Sequence, residues 1–494
     1  MRILLTFILL AVLLSACAAP LDGAPSAASP APLAPLSDCL LRFSGISTQV
    51  AAKCAEVSVP ENRAEPGGRQ IQLKVFVIKA LSANPAPDPL FLLAGGPGQA
   101  ATEAYLPAIP VLDKIGFKHD LVLLDQRGTG KSNPLHCVSE DTEEVTGAGS
   151  PKPEEITTAF SDCLSKLDAD PRFYTTADFV QDLEAVRAAL GYTQIDLLGV
   201  SYGTRSALAY MAAYPQNVRA AVLDGVVPPD WRIGQSLRQD AQRSMDAIFA
   251  RCAANPGCLE AFPDLPGELK TLIAALDREP QTVVIPHPRR GAEVSVTVDG
   301  RVAGAMLRLI SYSSDYSALI PWLLHTAAQG DLRPLASQYL IANSPGGPGG
   351  IETGLFFAVM CAEDVPFLPA AGEAGDFFFY DALPGWRAAC AAYPAAPANP
   401  PPAFPSGLQI PTLILSGDAD PVTPPANGEA VAQLLSNSRH IILPGMGHGN
   451  FTSGCMPNLI TDLLESADVA ALDLSCAERI APPPFFLTAL GPQP

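Results

Sequence analysis

Seven short apolar runs rich in branched residues recur along the chain, separated by polar and helix-forming stretches. Several of these runs lack alternating polar positions, which is typical of strands covered on both faces. Before one of them, Phe179, Leu183, Val186 and Leu190 recur at the spacing of a helix face. This alternation predicts a mostly parallel, doubly wound α/β sheet. The predicted strands are residues 71–78, 90–93, 121–124, 195–198, 221–223, 412–415 and 440–443.

The rhythm changes in the middle of the chain. A parallel crossover needs only about a dozen residues, so residues 229–405 predict an inserted subdomain. This interval contains apolar positions at helical spacing and a short β-hairpin, predicted over residues 282–298. We interpret the insertion as a mainly helical cap over the catalytic edge of a core formed by residues 38–228 and 406–494.

The N-terminus has the layout of an export signal. Arg2 precedes an apolar run over residues 3–14, which is shorter than the ~20 residues that span a bilayer. The run ends in Leu-Ser-Ala-Cys, which resembles a bacterial lipoprotein box. Residues 1–17 are therefore predicted to be a lipoprotein signal with Cys17 lipidated, and the Pro/Ala/Ser-rich residues 18–37 a tether to the membrane. Ordinary secretion with loss of Cys17 is the alternative.

The cysteines indicate disulfides. The chain has 11 cysteines, and those that follow Cys17 form an even set, as expected of an exported protein. The sequence leaves their connectivity open, although neighbour pairing closes the shortest loops. Those pairs are 39 with 54, 137 with 163, 252 with 258, 361 with 390, and 455 with 476. No Cys-x-x-Cys pair exists and the histidines are scattered, so no metal site is expected.

The charge balance excludes one class of partner. The 494 residues carry a formal net charge of -19, and no Lys/Arg cluster offsets it. Nucleic-acid phosphates would be repelled by such a chain. We therefore expect no nucleic-acid partner.

The pentad Gly199-Val200-Ser201-Tyr202-Gly203 lies between a predicted strand and a helix-like stretch. This is the layout of a nucleophile elbow, in which a strained turn exposes a serine at the carboxyl edge of a sheet. The two glycines fit because strand and helix must pass close together. Ser201 is therefore the candidate nucleophile.

A serine nucleophile needs a base and an orienting acid. The strand at residues 412–415 ends in a loop with two carboxylates, Asp418 and Asp420, and either could be the acid. His448 follows the next strand directly, in a glycine-rich loop. Serine, acid and histidine then occur in the order found in α/β-hydrolases.

The oxyanion donors are predicted to be two backbone N–H groups, those of Tyr202 and Gly96. Gly96 belongs to Gly95-Gly96-Pro97-Gly98, which directly follows the strand at residues 90–93. This machinery requires neither a metal nor an organic cofactor.

Gly128-Thr129-Gly130-Lys131-Ser132 invites a phosphate-loop interpretation, but Asp125 stands where that pattern needs glycine. We instead predict that Asp125-Gln126-Arg127-Gly128 forms a buried polar turn beside the active site. Carboxylates or carbonyl groups are expected to hold Arg127.

Together these motifs resemble the prolyl and tripeptidyl aminopeptidase branch of the α/β-hydrolases, peptidase family S33, over roughly residues 54–476. The resemblance implies the α/β-hydrolase fold. It selects Asp420, in Asp420-Pro421-Val422-Thr423-Pro424, as the acid and leaves Asp418 as a turn residue. The C-terminal segment around Asp420 and His448 is similar to the domain typical of tripeptidyl aminopeptidases.

The same resemblance implies an anchor for the free amine of a peptide substrate, formed by carboxylates of the cap. Glu363 and Asp364, beside Cys361, are the candidates, with solvated loop charges as the alternative interpretation. Ala94 departs from the family, because prolyl aminopeptidases usually carry histidine at that position. Exclusive proline specificity is therefore not expected.

Three functions follow from this sequence. The first is an exported serine aminopeptidase that hydrolyses peptides from a free N-terminus through an acyl-enzyme. The second keeps the same fold and triad but hydrolyses small carboxylic esters, because fold does not settle function. The third is a catalytically silent lipoprotein that only binds peptides, and the complete set of catalytic candidates makes it the weakest of the three.

Overall fold

The computed structural model describes residues 36–42, 49–137, 152–288, 291–342, 350–370, 379–394 and 404–492. Cys17, the signal segment and all but the last two residues of the predicted tether lie outside these ranges. None of the described helices is long and apolar enough to span a lipid bilayer.

Nine strands form one sheet in the order β1-β2-β3-β5-β4-β6-β7-β10-β11. The pairs β1 with β2, β2 with β3, and β3 with β5 are antiparallel. The remaining neighbours in this order, from β5 with β4 to β10 with β11, are parallel. The predicted, mostly parallel sheet is thus confirmed. The strands are β1 Ser37–Arg42, β2 Gln49–Pro60, β3 Gln70–Ile78, β4 Leu90–Leu93, β5 Leu121–Leu124, β6 Ile195–Val200, β7 Val218–Asp224, β10 Thr412–Gly417 and β11 Ser438–Leu443.

The sequence analysis missed β1 and β2. In β2, exposed positions such as Glu56 interrupt the buried ones, so no continuous apolar run marks the strand. Such alternation is typical of antiparallel strands with one solvated face. The central strands are different: all four residues of β4 and of β5 are buried.

Helices cover the sheet on both faces. Successive strand residues point to opposite sides, so an apolar strand has apolar side chains to bury on each face. Leu90 and Leu92 pack in one apolar core, whereas Phe91 and Leu93 pack in the other. The helices of the core region are α1 Ala101–Ala104, α2 Ile109–Ile115, α3 Pro153–Leu164, α4 Thr176–Ala189, α5 Tyr202–Ala213, α15 Pro425–Leu434 and α16 Met456–Ser466.

The chain between β7 and β10 is mainly helical and has its own apolar core. The predicted hairpin is present as β8 Gln281–Pro286 and β9 Glu293–Val298, paired antiparallel. The helices of this segment are α6 Leu237–Ala254, α7 Pro256–Ala261, α8 Leu265–Arg278, α9 Gly300–Ile310, α10 Ser314–Ser317, α11 Ile320–Ala328, α12 Arg333–Ala342, α13 Thr353–Glu363 and α14 Leu383–Cys390.

Five disulfides have the neighbour pairing predicted from loop length. They join Cys39 to Cys54, Cys137 to Cys163, Cys252 to Cys258, Cys361 to Cys390, and Cys455 to Cys476. Such a set is typical of proteins from oxidising compartments.

Candidate active site

Ser201 lies at the carboxyl end of β6 and directly before α5. Its backbone adopts φ 58° and ψ -127°, a conformation that residues with a side chain rarely take. Such strain costs about 1–3 kcal/mol and is concentrated at functional sites. The Ser201 N–H donates to the Asp224 carbonyl oxygen of β7 at 2.9 Å, which fixes the turn against the neighbouring strand.

The glycines of the pentad allow three backbone segments to pass close together. A Cβ at Gly199 would lie 2.6 Å from the Gly203 carbonyl oxygen, and one at Gly203 would lie 2.1 Å from the Leu93 carbonyl oxygen. Both distances are too short for any side chain. The elbow predicted from the sequence therefore has its steric basis in the contact between α5, β6 and β4.

His448 and Asp420 form a hydrogen-bonded pair at the carboxyl ends of β11 and β10. His448 Nδ1 lies 2.7 Å from Asp420 Oδ2. Asp420 Oδ1 accepts from the N–H groups of Val422 and Thr423 at 2.8 and 2.9 Å, and the Thr423 hydroxyl donates to Oδ2 at 2.7 Å. Asp418 instead accepts from the Gly445 N–H and stabilises the adjacent loop.

The charges of this pair support each other. Burial opposes ionisation of Asp420, but His448 and the donors from Thr423 hold the pKa of this carboxyl below its ordinary value. Burial likewise opposes protonation of His448, yet the Asp420 carboxylate raises the pKa of the imidazole above its ordinary value. A histidine held in this way can accept a proton from a hydroxyl and retain it as a stabilised imidazolium.

The structure reveals a second buried carboxylate beside His448, which the sequence analysis did not identify. Asp224 ends β7, is fully buried, and accepts from the N–H groups of Asn450 and Phe451 through Oδ2. Burial raises the pKa of Asp224 to about 6, and its charge contributes to the raised pKa of His448. The available sequence signal was its place at a strand's carboxyl end, immediately before Gly225.

The loop after β4 lies against the nucleophile. A Cβ at Gly95 would come 2.9 Å from Ser201 Cβ, and both Gly95 and Gly96 line the same cavity as Ser201. β4 and β6 are neighbours, with Leu93 paired to Gly199, so their carboxyl ends open at one point of the sheet. The N–H groups proposed as oxyanion donors, those of Gly96 and Tyr202, therefore belong to segments that flank Ser201.

A cavity of about 440 Å³ contains both Ser201 and His448. Part of its wall comes from the core, including Tyr105 and Phe451, and part from the inserted segment. Arg308 is the permanently charged side chain among the described residues of this wall, and none of those residues is a carboxylate. The apolar residues contributed by the inserted segment include Ile233, Leu237, Leu309, Phe356 and Trp386.

The Asp125-Gln126-Arg127-Gly128 turn has the predicted character. Arg127 is fully buried and donates to both carboxylate oxygens of Asp182 at 2.6 and 2.7 Å. It also donates to the carbonyl oxygens of Glu61 and Phe173 at 3.0 and 2.7 Å. The turn is a buried polar support beside the site.

Glu363 and Asp364 do not line the cavity, which argues against the amine-anchor role expected of them. Both oxygens of Asp364 accept from the Arg205 guanidinium at 2.9 Å. Glu363 accepts from the N–H and hydroxyl of Thr176 at 2.6 and 2.7 Å and lies 3.6 Å from Arg205. Arg205 of α5 binds Asp364 and lies beside Glu363, so these two carboxylates join the end of α13 to the helix that follows the nucleophile.

Comparisons with known proteins agree with this geometry. Residues 88–260 match the family described as alpha/beta hydrolase fold, and residues 378–476 match the family described as TAP-like protein. The chain is 28% identical to serine protease Hip1 of Mycobacterium tuberculosis over 418 residues, covering 78% of this chain and 80% of that protein.

Two further relatives are named for different activities. Tripeptidyl aminopeptidase of Streptomyces lividans is 32% identical over 197 residues, which cover 36% of each chain. Carboxylesterase B of Mycobacterium tuberculosis is 29% identical over 520 residues, covering 96% of this chain and 97% of that protein.

The sheet order, the elbow and the first family match define an α/β hydrolase. Within that class, the chain is a serine hydrolase, and its residues 378–476 are similar to the family described as TAP-like protein.

Proposed function

We propose that this chain is a serine peptidase that removes residues from the free N-terminus of peptides. Ser201 is the nucleophile, His448 the general base and Asp420 the acid that orients it. The observation that carries the proposal is the strained Ser201 turn in the same cavity as a histidine hydrogen-bonded to a buried carboxylate.

In the proposed reaction, Ser201 Oγ attacks the scissile carbonyl carbon while His448 takes the hydroxyl proton. The N–H groups of Gly96 and Tyr202 donate to the developing oxyanion. His448 then gives the proton to the leaving amine, and the Ser201 acyl-enzyme forms. Water, deprotonated by the same histidine, hydrolyses this ester and regenerates the serine.

Two findings support a peptide substrate docked by its N-terminus. One is the match of the C-terminal segment to the TAP-like family, and the other is the similarity to a serine protease and a tripeptidyl aminopeptidase. The wall supplied by the inserted segment, with Phe356 and Trp386, also suits apolar groups of a short peptide.

The test is a panel of fluorogenic substrates for the purified full chain. It contains mono-, di- and tripeptidyl amides with a free amine, their N-acetylated forms, and short acyl esters. We expect turnover to require the free N-terminus, and the best peptide length gives the number of residues released. S201A should abolish turnover, and activity retained by this variant would refute the nucleophile assignment.

S206A is the matched control for S201A. Ser206 lies in α5, the helix that directly follows Ser201, is fully buried, and its hydroxyl has no hydrogen-bond partner among the described residues. It should therefore keep nearly full activity. Equal losses in both variants would indicate a folding defect in place of a chemical one.

Carboxylic ester hydrolysis is the second candidate, and the similarity to carboxylesterase B favours it. Equal or faster turnover of esters and blocked peptides would establish it over the aminopeptidase. A silent peptide-binding protein would instead leave Ser201 unlabelled by a fluorophosphonate. Labelling that disappears in S201A would exclude that third function.

We also propose that the chain is exported and anchored to a bacterial membrane through lipidated Cys17. The five disulfides support the oxidising compartment. The full chain should partition into detergent, and C17A should partition into the aqueous phase. Aqueous partition of the unchanged chain would favour ordinary secretion.

A further inference from the structure

Arg308 differs from the buried arginines Arg127 and Arg205. It lies on α9 of the inserted segment and lines the cavity that contains Ser201 and His448. Arg127 and Arg205 each bind a buried aspartate with two hydrogen bonds. No aspartate or glutamate of the described residues lies within ion-pair distance of Arg308.

The contacts of Arg308 leave donors unused. One Nη donates to the Tyr312 hydroxyl at 3.1 Å, and the guanidinium carbon lies 5.3 Å from the centroid of the Tyr312 ring. Its Nε is buried and has no acceptor among the described residues. A buried N–H without an acceptor is unfavourable, so the cavity is arranged to receive one.

The guanidinium selects the kind of acceptor. Its planar fork matches a carboxylate, which can take two parallel N–H bonds and also compensate the charge. None of the described residues of the cavity wall is a carboxylate. A carboxylate on the substrate would therefore accept from the Arg308 guanidinium and compensate its charge.

Tyr312 indicates on which part of the substrate this anion lies. The Tyr312 carbonyl oxygen accepts from the His448 N–H at 2.7 Å, and the two rings meet edge to face at 5.4 Å between centroids. Arg308 is therefore one aromatic ring away from the imidazole. In the proposed reaction, this imidazole protonates the leaving amine, so Arg308 lies on the leaving-group side.

We propose that Arg308 binds the C-terminal carboxylate of the leaving amino acid. In a free amino acid, the carboxylate carbon is only two bonds from the amine nitrogen, which places the anion close to His448 when that nitrogen is protonated. The enzyme then favours short peptides with one residue beyond the scissile bond. This inference rests on the proposed peptidase function and names its substrate class.

The experiment compares tetra-alanine with a free C-terminus, its C-terminal amide, and the tri-alanyl coumarin amide. One charge-assisted interaction corresponds to about tenfold to hundredfold in rate. We expect the full chain to cleave the free acid faster than the amide by this factor. R308M should lose the preference, and R308K should retain part of it because the charge remains without the planar fork.

R301M is the matched control. Arg301 lies on the same helix, two turns from Arg308, where it pairs with Asp299 and stacks on Tyr380. It should keep the preference for the free acid. Equal rates on acid and amide in the unchanged chain, or a preference that survives in R308M, would overturn the proposal.

Two further arms separate the possible failures. A peptide amide ending in aspartate tests a side-chain carboxylate as the anion, and a faster rate on it than on the tetra-alanine acid would refute the C-terminal assignment. Turnover of the coumarin amide without discrimination between acid and amide would refute only the role of Arg308. Absence of turnover on every peptide, with esters cleaved, would refute the peptidase function itself.

Discussion

Two pairs of buried carboxylates are linked to the nucleophile, and they differ in the cation that each pair contacts. Asp420 and Asp224 surround His448, whereas Glu363 and Asp364 surround Arg205. All four residues are 6% exposed or less. Burial and charge therefore do not distinguish the pair proposed for chemistry from the pair that supports the fold.

The cation decides the role of each pair. His448 lines the cavity, and although burial opposes its protonation, the carboxylates beside it raise the pKa of the imidazole. These carboxylates therefore set when His448 can accept a proton. Arg205 stays protonated and lies outside the cavity wall. It donates hydrogen bonds to Asp364 and to the Trp231 carbonyl oxygen. A carboxylate next to arginine can hold two elements together, but it cannot take part in a proton transfer through that partner.

The largest effect on activity is expected when Asp420, the carboxylate hydrogen-bonded to His448, loses its charge. D420N should lower kcat by about 10⁴-fold, because an amide neither stabilises the imidazolium nor fixes the same tautomer. Steady-state kinetics on the best tripeptidyl amide measures this loss. The unfolding midpoint should move little by comparison.

D418N is the control for D420N, because Asp418 precedes it by two residues and its carboxylate accepts from the Gly445 N–H. It should keep most of the activity. A loss as large as that of D420N would mean that the acid is assigned to the wrong carboxylate.

The arginine pair should respond in stability instead. D364N removes the charge that compensates Arg205 in a site with no exposure to solvent. Breaking such a buried pair costs about 3–5 kcal/mol in the free energy of unfolding. Urea denaturation followed by far-UV circular dichroism measures it, and the specific activity of the folded fraction should fall much less than in D420N.

D168N provides the matched surface change. Asp168 pairs with Arg69 but has a side chain that is 98% exposed, and such pairs contribute about 0–1 kcal/mol. If D364N were no more destabilising than D168N, the proposed support of the cap by Arg205 would be wrong.

Local signals in the sequence predicted His448 and an acid at Asp418 or Asp420, and the family resemblance selected Asp420. Asp420 follows the buried strand β10 and His448 follows β11, each within a few residues. Parallel strands bring their carboxyl ends to one edge of the sheet. The same logic placed Ser201 and the Gly95-Gly96 loop together. The apolar runs of β4 and β5 even matched the observed bounds.

The arginine pair could not be predicted in this way. Arg205 and Asp364 are 159 residues apart, and nothing near either residue in the sequence indicates the other. The cap geometry that brings α13 onto α5 depends on packing between helices, which local periodicity does not encode. For the same reason, Glu363 and Asp364 were predicted to bind the substrate amine, and Arg308 was not predicted as a site residue.

The smallest and most specific test concerns Asp224, the second carboxylate beside His448. D224N removes a charge that raises the pKa of His448, while the amide oxygen, in the place of Asp224 Oδ2, still accepts from the N–H groups of Asn450 and Phe451. Since the base must be neutral, activity falls as pH drops through this pKa. The acid limb of kcat/KM should therefore move to lower pH. D418N should leave the limb in place. If the acid limb of D224N moved to higher pH or did not move, Asp224 would not set the pKa of His448. Its role would then be to hold the Asn450–Phe451 loop, as Glu363 and Asp364 hold the helix that carries Arg205.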